Sequence, residues 1–221
     1  VSDIVEPNWA WREFKRRLTG QEWDYDFRRL FYTWSPDIKK GAFREWVELA
    51  SRERTCGGIS PGDLYVEPEG DVHVVWSERA IDERLRERFF PEARQTNSLR
   101  YALIREGKMV RRATLTESTE DGGGIAGSCG RFQVTPEGRL FVVYYASGHE
   151  PDGKPVSENR VMEIRKDGQA GTGTRLKLQR PFTVYFTATV RGGSPPSRTL
   201  EMFGERAGMA KTISYARVRL Y

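Results

Sequence analysis

Gly62-Asp-Leu-Tyr-Val-Glu-Pro-Glu-Gly-Asp-Val-His-Val-Val-Trp76 decides the fold, because it aligns without a gap on Gly130-Arg-Phe-Gln-Val-Thr-Pro-Glu-Gly-Arg-Leu-Phe-Val-Val-Tyr144. In each copy a short alternating strand (Leu64 and Val66; Phe132 and Val134) runs into Pro-Glu-Gly and then into a β-branched and aromatic strand, 72–76 or 140–145. The glycine supplies the positive φ that a tight reversal needs, so both copies read as β-hairpins. Internal repetition of this kind is the mark of supersecondary units that stack on one another.

Working outward, 182–188 reads as a looser copy of the second strand. A second set of similar segments follows at 98–104, 159–164 and 212–218, with 30–34 as an earlier member. Further strands at 109–116 and 174–179 close the units. Four antiparallel strands per unit is the organisation of a propeller blade, so the expected fold is an all-β propeller of about three and a half to four blades. The units run 28–61, 62–128, 129–180 and 181–221, after an N-terminal segment 1–27 in which 9–18 fits a helix and a strand equally. One helical insertion is expected over 78–90, where Ile81, Leu85 and Phe89 recur every fourth residue and Pro91 stops the run.

Composition narrows the function classes. The 221 residues are 38% hydrophobic and 12% aromatic with six Trp, a folded composition. The net charge of +5 is spread among acidic residues, as in Glu83, Arg84, Arg86, Glu87 and Arg88, which argues against a nucleic-acid partner. No apolar run is long enough to cross a membrane as a helix, and a soluble chain is expected. Its start at Val1 instead of Met points to an upstream segment. Cys56 and Cys129 stand outside any paired-cysteine motif; a disulfide between them and two buried free thiols both fit. No metal or other cofactor is expected, and Asp121-Gly-Gly-Gly124 lacks the spacing of a phosphate loop.

The stretch 35–46, SPDIKKGAFREW, resembles the Asp-box of sialidase-like propellers, whose pattern is Ser-x-Asp-x-Gly-x-x-Trp. Ser35, Asp37, Gly41 and Trp46 take its places, with two extra residues before Gly41 and two more before Trp46. The expected physics is an Asp carboxylate capping turn amides, a Gly making the reversal and an aromatic sealing the turn. The two Pro-Glu-Gly hairpins also look like bacterial BNR-repeat members of that superfamily. The resemblance implies a structural Asp-box away from the ligand face. It also implies an anionic carbohydrate partner and an extracellular or periplasmic location. It places the ligand face on the connections 52–61, 77–96, 117–128, 147–157 and 190–198. Members of the family have six blades, an Arg triad, a Tyr nucleophile assisted by Glu, and an Asp acid/base. Their Phe/Tyr-Arg-Ile-Pro motif is absent from this sequence, as is about half of the propeller. A piece of a larger propeller, a four-bladed ring and an oligomer are the three readings of that shortfall.

Within those connections the candidate catalytic groups are His149, which Glu150 or Asp152 could orient, together with Tyr145 and Glu78. Arg191, Arg79 and Arg160 are the candidates for binding a substrate carboxylate or sulfate, and Trp76 for stacking on a sugar ring. His73 occupies the position of Phe141 in the next repeat and is expected between blades. Facing a cleft, it would form with His149 a lyase-like pair. The leading function is glycan binding, with glycoside hydrolysis, a polysaccharide lyase and a non-catalytic interaction or assembly module as alternatives. Burial of Ile81, Leu85 and Phe89 would favour a lid or structural insert, and exposure a docking helix.

Overall fold

The Pro-Glu-Gly segments close as tight hairpins in the structure, a computed structural model that describes residues 2–3, 6–21, 26–209 and 211–221. The Glu67 amide donates to Asp71 O (2.8 Å) and the Gly70 amide to Glu67 O (2.9 Å), and Thr135, Arg139 and Gly138 repeat the pattern. Gly70 and Gly138 sit at φ +97° and +77°, a region open to glycine at little cost. The same bonding recurs at Glu150–Lys154 and at Arg165–Gln169. The stretch 147–157, expected as a long ligand-face connection, is therefore a hairpin in which His149 pairs with Pro155. Its Glu-Pro-Asp-Gly carries the turn chemistry of the other two copies.

The fold is all-β with two helices. A short ladder joins β1 (Ser2–Asp3) to β2 (Asp26–Phe27), and sheet I pairs β3 (Arg29–Tyr32) with β4 (Val47–Ser51). Sheet II is a meander of β5 (Gly58–Val66), β6 (Val72–Arg79), β7 (Thr96–Arg105) and β8 (Lys108–Thr119). Sheet III repeats it with β9 (Ile125–Val134), β10 (Leu140–His149), β11 (Pro155–Ile164) and β12 (Thr174–Arg175). Sheet IV has β13 (Phe182–Thr187), β14 (Thr199–Arg206) and β15 (Ile213–Arg219). Two strand assignments change. The segment 182–188, read as a second strand, is the first strand of sheet IV, and 30–34 falls on β3, which among the described residues pairs with β4 alone. Both segments have the right residue types for a strand, and residue type does not specify place in a sheet.

Sheets II and III contain the aligned repeats, and they lie face to face. Val75, Leu99, Tyr101 and Leu103 of sheet II share one core with Phe132, Leu140, Val142 and Tyr144 of sheet III. On the other side of sheet II, Val72, Val74 and Trp76 pack on Leu49 and Ala50 of sheet I. On the far side of sheet III, Phe141 and Val143 pack on Phe182, Tyr185, Leu200 and Met202 of sheet IV. The apolar run of β10 and the near-continuous one of β6, broken only by His73, follow from this, since both faces of each strand are buried. Equivalent positions point the same way: 72, 74 and 76, like 140, 142 and 144, face the preceding sheet, and 75 and 143 face the following one. The stack is head to tail. Among the described residues sheet IV does not return to sheet I, so an array of stacked sheets is present and no closed ring.

The helical insertion is shorter than expected, because Glu78 and Arg79 continue β6 and α2 spans Glu83–Phe89 behind an Asp82 cap. The segment 9–18 resolves as helix α1 (Trp9–Thr19). The Asn8 side chain accepts from the Ala10 and Trp11 amides, and Gly20 ends the helix in the left-handed region. The two helices meet edge to face through Trp11 with Phe90 (5.4 Å) and Phe14 with Phe89 (5.5 Å). Ile81 and Leu85 are fully buried and Phe89 is half-buried against Phe14, which favours a lid or structural insert over a docking helix. Beneath α1, the buried Glu6 carboxylate accepts from Lys15 Nζ (3.0 Å) and from both terminal nitrogens of Arg28.

Candidate functional site

The first strands of sheets II, III and IV share a device. β5 carries a bulge at Gly62, between Pro61 and Asp63; β9 carries one at the equivalent Cys129-Gly130; and β13 carries one at Thr183. A bulge re-aims the side chain beside it. Asp63 is thereby turned into the stack, where its carboxylate accepts from the Leu64 amide (2.9 Å) and the Phe132 amide (3.0 Å) and forms an ion pair with Arg191 Nε (3.2 Å). The residue equivalent to Asp63 in the next repeat is Arg131, whose guanidinium donates back to Gly62 O. One buried acid thus ties the first strands of sheets II and III and meets the connection that follows β13 in sheet IV.

At the end of sheets II and III where β5 and β9 begin lies a pocket of about 520 Å³. Its wall comes from strand ends: Ser60 of β5, Ser77 and Arg79 of β6, Asn97 and Ser98 of β7, Ser118 of β8, Ser128 of β9 and Ser147 of β10. Gly58, Gly127, Gly148 and Phe27 complete the lining. The Arg79 side chain lies over Gly58, where a Cβ would come within 2.7 Å of its Nε. Hydroxyls both donate and accept, so this wall suits a ligand that presents many hydroxyls of its own.

Glu78 borders the same pocket, yet it is already committed. Its carboxylate accepts from Trp76 Nε1 (2.6 Å), Arg52 Nε (2.9 Å) and Arg112 (3.3 Å), with Arg100 Nε at 3.8 Å. Burial alone would raise its pKa, but the indole N–H and the Arg52 and Arg100 charges outweigh that and hold it below the usual carboxylate value. It stays ionised, so it anchors the arginines and is poorly suited to acid catalysis.

The structure scatters the other sequence candidates. Trp76 is fully buried, its ring packed in the core between sheets I and II, so it has no face for a sugar. Tyr145 shares a 3.0 Å hydrogen bond with Ser157, and Arg160 donates to Glu158 (2.7 Å) and Glu150 (2.5 Å) on the same hairpin. His149 is exposed at the end of β10, and its backbone amide reaches Gly124 O (3.4 Å). Arg191 belongs to the Asp63 tie. Of the named candidates only Glu78 and Arg79 line the pocket. His73 is buried between sheets, with Nδ1 2.8 Å from Tyr101 Oη and Nε2 3.0 Å from Glu67 Oε1, so it forms no pair with the exposed His149.

In the Asp-box-like segment, Asp37 Oδ1 accepts from the Lys39 amide (2.9 Å), its main-chain oxygen accepts from the Gly41 amide (2.8 Å), and Ser35 Oγ donates to Gly41 O (3.2 Å). Trp46 does not seal that turn: it is 62% exposed and meets Phe31 edge-on at 5.5 Å. Trp34 makes the contact with the next sheet, lying against Gly107 in the β7–β8 turn. Cys56 and Cys129 are separate thiols; burial pushes the Cys56 pKa up to about 12, so it is no nucleophile.

Reading by residue type missed the serines and Asp63. A signal for the serines was present, because Ser60-Pro-Gly62 and Ser128-Cys-Gly130 occupy the same places relative to the aligned repeat. Asp63 gave no such signal, since its equivalent is an arginine. Comparison with protein-family models, with curated proteins and with solved structures finds no match to this chain.

Proposed function

We propose that this protein binds glycans in the serine-lined pocket between sheets II and III, and that the sheets are consecutive blades of a propeller. The head-to-tail stacking of equivalent faces supports the propeller reading, since heterologous contacts of one kind either close a ring or extend an array. The outward face of sheet IV extends that support: Val184, Phe186, Phe203, Ile213 and Tyr215 are exposed there in the alternation that is buried at the other interfaces.

The observation that carries the function is the pocket wall, six serines and Asn97 with one arginine beside them. Serine hydroxyls exchange hydrogen bonds with sugar hydroxyls, and Arg79 would select glycans that carry a carboxylate or sulfate. Binding is favoured over hydrolysis, because Glu78 is held by Arg52 and Trp76 while Tyr145 and His149 stand outside the pocket wall.

A glycan array with neutral, uronate-bearing and sulfated members tests this. Ser128→Trp, which fills the pocket from the start of β9, is expected to lower binding at least tenfold with an unchanged circular dichroism spectrum. Arg79→Ala is expected to weaken only the anionic members, by about tenfold, the loss of one charged hydrogen bond. Binding that survives Ser128→Trp, or an array with no bound member, overturns the reading.

A further inference from the structure

Strand register makes the serine-lined pocket a groove with a direction. On sheet II one cross-strand row runs Gly58↔Arg79, Arg79↔Asn97 and Asn97↔Ser118, one residue from each of the four strands, and all four line the pocket. Residues paired across strands point to the same face, and side chains alternate along each strand. This row faces sheet III, because Leu99, two residues on from Asn97, lies in the core that the two sheets share. Gly127 of β9 closes the floor. Ser77 Oγ donates to Gly127 O (3.5 Å), and a Cβ on Gly127 would come 2.5 Å from Thr116 Oγ1 and 2.9 Å from Leu99 Cβ. A ligand therefore lies across the strand ends and does not pass down between the sheets.

Four strands at ordinary spacing make the row about 14 Å long. One sugar ring with its linkage advances by about one strand spacing, so the three steps of the row match three rings. Charge sits at one end. Glu78 and Arg79 are the charged residues of the lining, and Glu78 is already held by Arg52 and Trp76. The Arg79 side chain lies over Gly58 at the β5 edge, whereas Asn97 and Ser118, which finish the row at the β8 edge, are neutral.

We propose that the groove takes a linear oligosaccharide three rings long, laid across the strands of sheet II, with an acidic ring at the β5 edge and neutral rings toward β8. Such a ligand rests on the glycan reading of the pocket, to which it adds length, direction and the placement of charge. The guanidinium of Arg79 meets the carboxylate of the first ring, and the Asn97 amide and the Ser118 hydroxyl exchange hydrogen bonds with the hydroxyls of the others.

The test is calorimetric titration of the intact protein with linear oligomers of glucose and of galactose, one to six rings long. Each is prepared neutral, with a uronate at one terminal ring, and with uronates throughout. In the terminally charged series the dissociation constant is expected to fall at least tenfold from one ring to three, and less than threefold from three to six. Terminally and fully charged trimers are expected to bind within threefold of each other, and the neutral trimer about tenfold more weakly. Ser60→Trp at the β5 edge and Ser118→Trp at the β8 edge are each expected to move the plateau from three rings to two; if either fails to fold, the length series on the unaltered protein decides. Equal binding of one and three rings, continued gain beyond three, a need for charge on every ring, or a plateau unmoved by either folded tryptophan variant would each overturn the proposal and leave the glycan reading standing. Failure of every oligomer to bind overturns it too, and only together with an empty array does that failure overturn the glycan reading as well.

Discussion

Sheets II and III are two copies of one plan, and what they share differs in kind from what sets them apart. The positions that build the stack are apolar or glycine in both copies: Val75 and Val143 face the following sheet, Trp76 and Tyr144 the preceding one, and Gly62 and Gly130 mark the bulges. The positions that tie the interfaces differ and are polar in at least one copy. Asp63 becomes Arg131, and each then reaches across the same interface to the other's strand. His73 becomes Phe141, so one interface holds a Glu67–His73–Tyr101 chain where the next holds a ring. Repetition of the apolar set builds the stack, and departure from repetition ties each interface uniquely.

The comparison breaks most visibly at the paired aromatics. Replacing Trp76 or Tyr144 by Ala is expected to lower unfolding free energy by about 3–5 kcal/mol, as for other large core aromatics. The Trp76 variant should lie at the upper end, since it also takes the indole N–H from Glu78. Urea denaturation of both variants decides it, and a larger loss for Tyr144 would show that the Glu78 cluster adds nothing.

Next comes the reciprocal tie. Asp63→Ala leaves the buried Phe132 amide without its acceptor and is expected to cost about 2–3 kcal/mol; Arg131→Ala, on a half-buried side chain, about 1 kcal/mol. A loss no larger for Asp63 than for Arg131 would mean that the first strands are held by their packing.

The glycines sharpen the same contrast at smaller scale. A Cβ at Gly62 would come 2.8 Å from the backbone oxygens of Gly130 and Val75, so Gly62→Ala is expected to destabilise by about 1–3 kcal/mol through overpacking. Gly70 and Gly138 face open space, and Ala there is expected to cost about 1 kcal/mol for the positive φ alone. Equal losses at Gly62 and Gly70 would remove the close approach of sheets II and III as a constraint.

The smallest effect is a pH dependence confined to sheet II. Burial lowers the His73 pKa, against the opposing pull of Glu67 and Asp71. The unfolded chain therefore binds the proton more readily, and this part of the stability is present above the ordinary histidine value and is lost as pH falls below it. The slope is bounded by about 1.4 kcal/mol per pH unit for a single proton. His73→Phe, which installs the residue of the next repeat, is expected to flatten the difference between denaturation midpoints at pH 7.5 and pH 5. An unchanged pH difference in that variant would assign the dependence to carboxylates.

Much of the architecture was legible because hairpin signals are local. Pro-Glu-Gly specifies its own turn, and apolar runs such as Leu140–Tyr144 specify burial on both faces. The same local rule, applied only to the best copies, left 150–154 misread as loop although Pro151 and Gly153 carry the same signal. The candidate site was less legible. Arg160, Tyr145 and His149 have residue types that suit a site, but partners on their own hairpin engage Arg160 and Tyr145, and His149 stands outside the pocket wall.

The order of the sequence by itself determined the repeated hairpins, the alternation of buried side chains and the helical insertion, because each depends on contacts between residues near one another in the chain. Only the tertiary structure decided which strand ends converge on the serine pocket and that Asp63 reaches from β5 to the Phe132 amide of β9. Those depend on how sheets stack and where bulges turn the backbone, and stacking brings together residues whose separation in sequence carries no record of their distance in space.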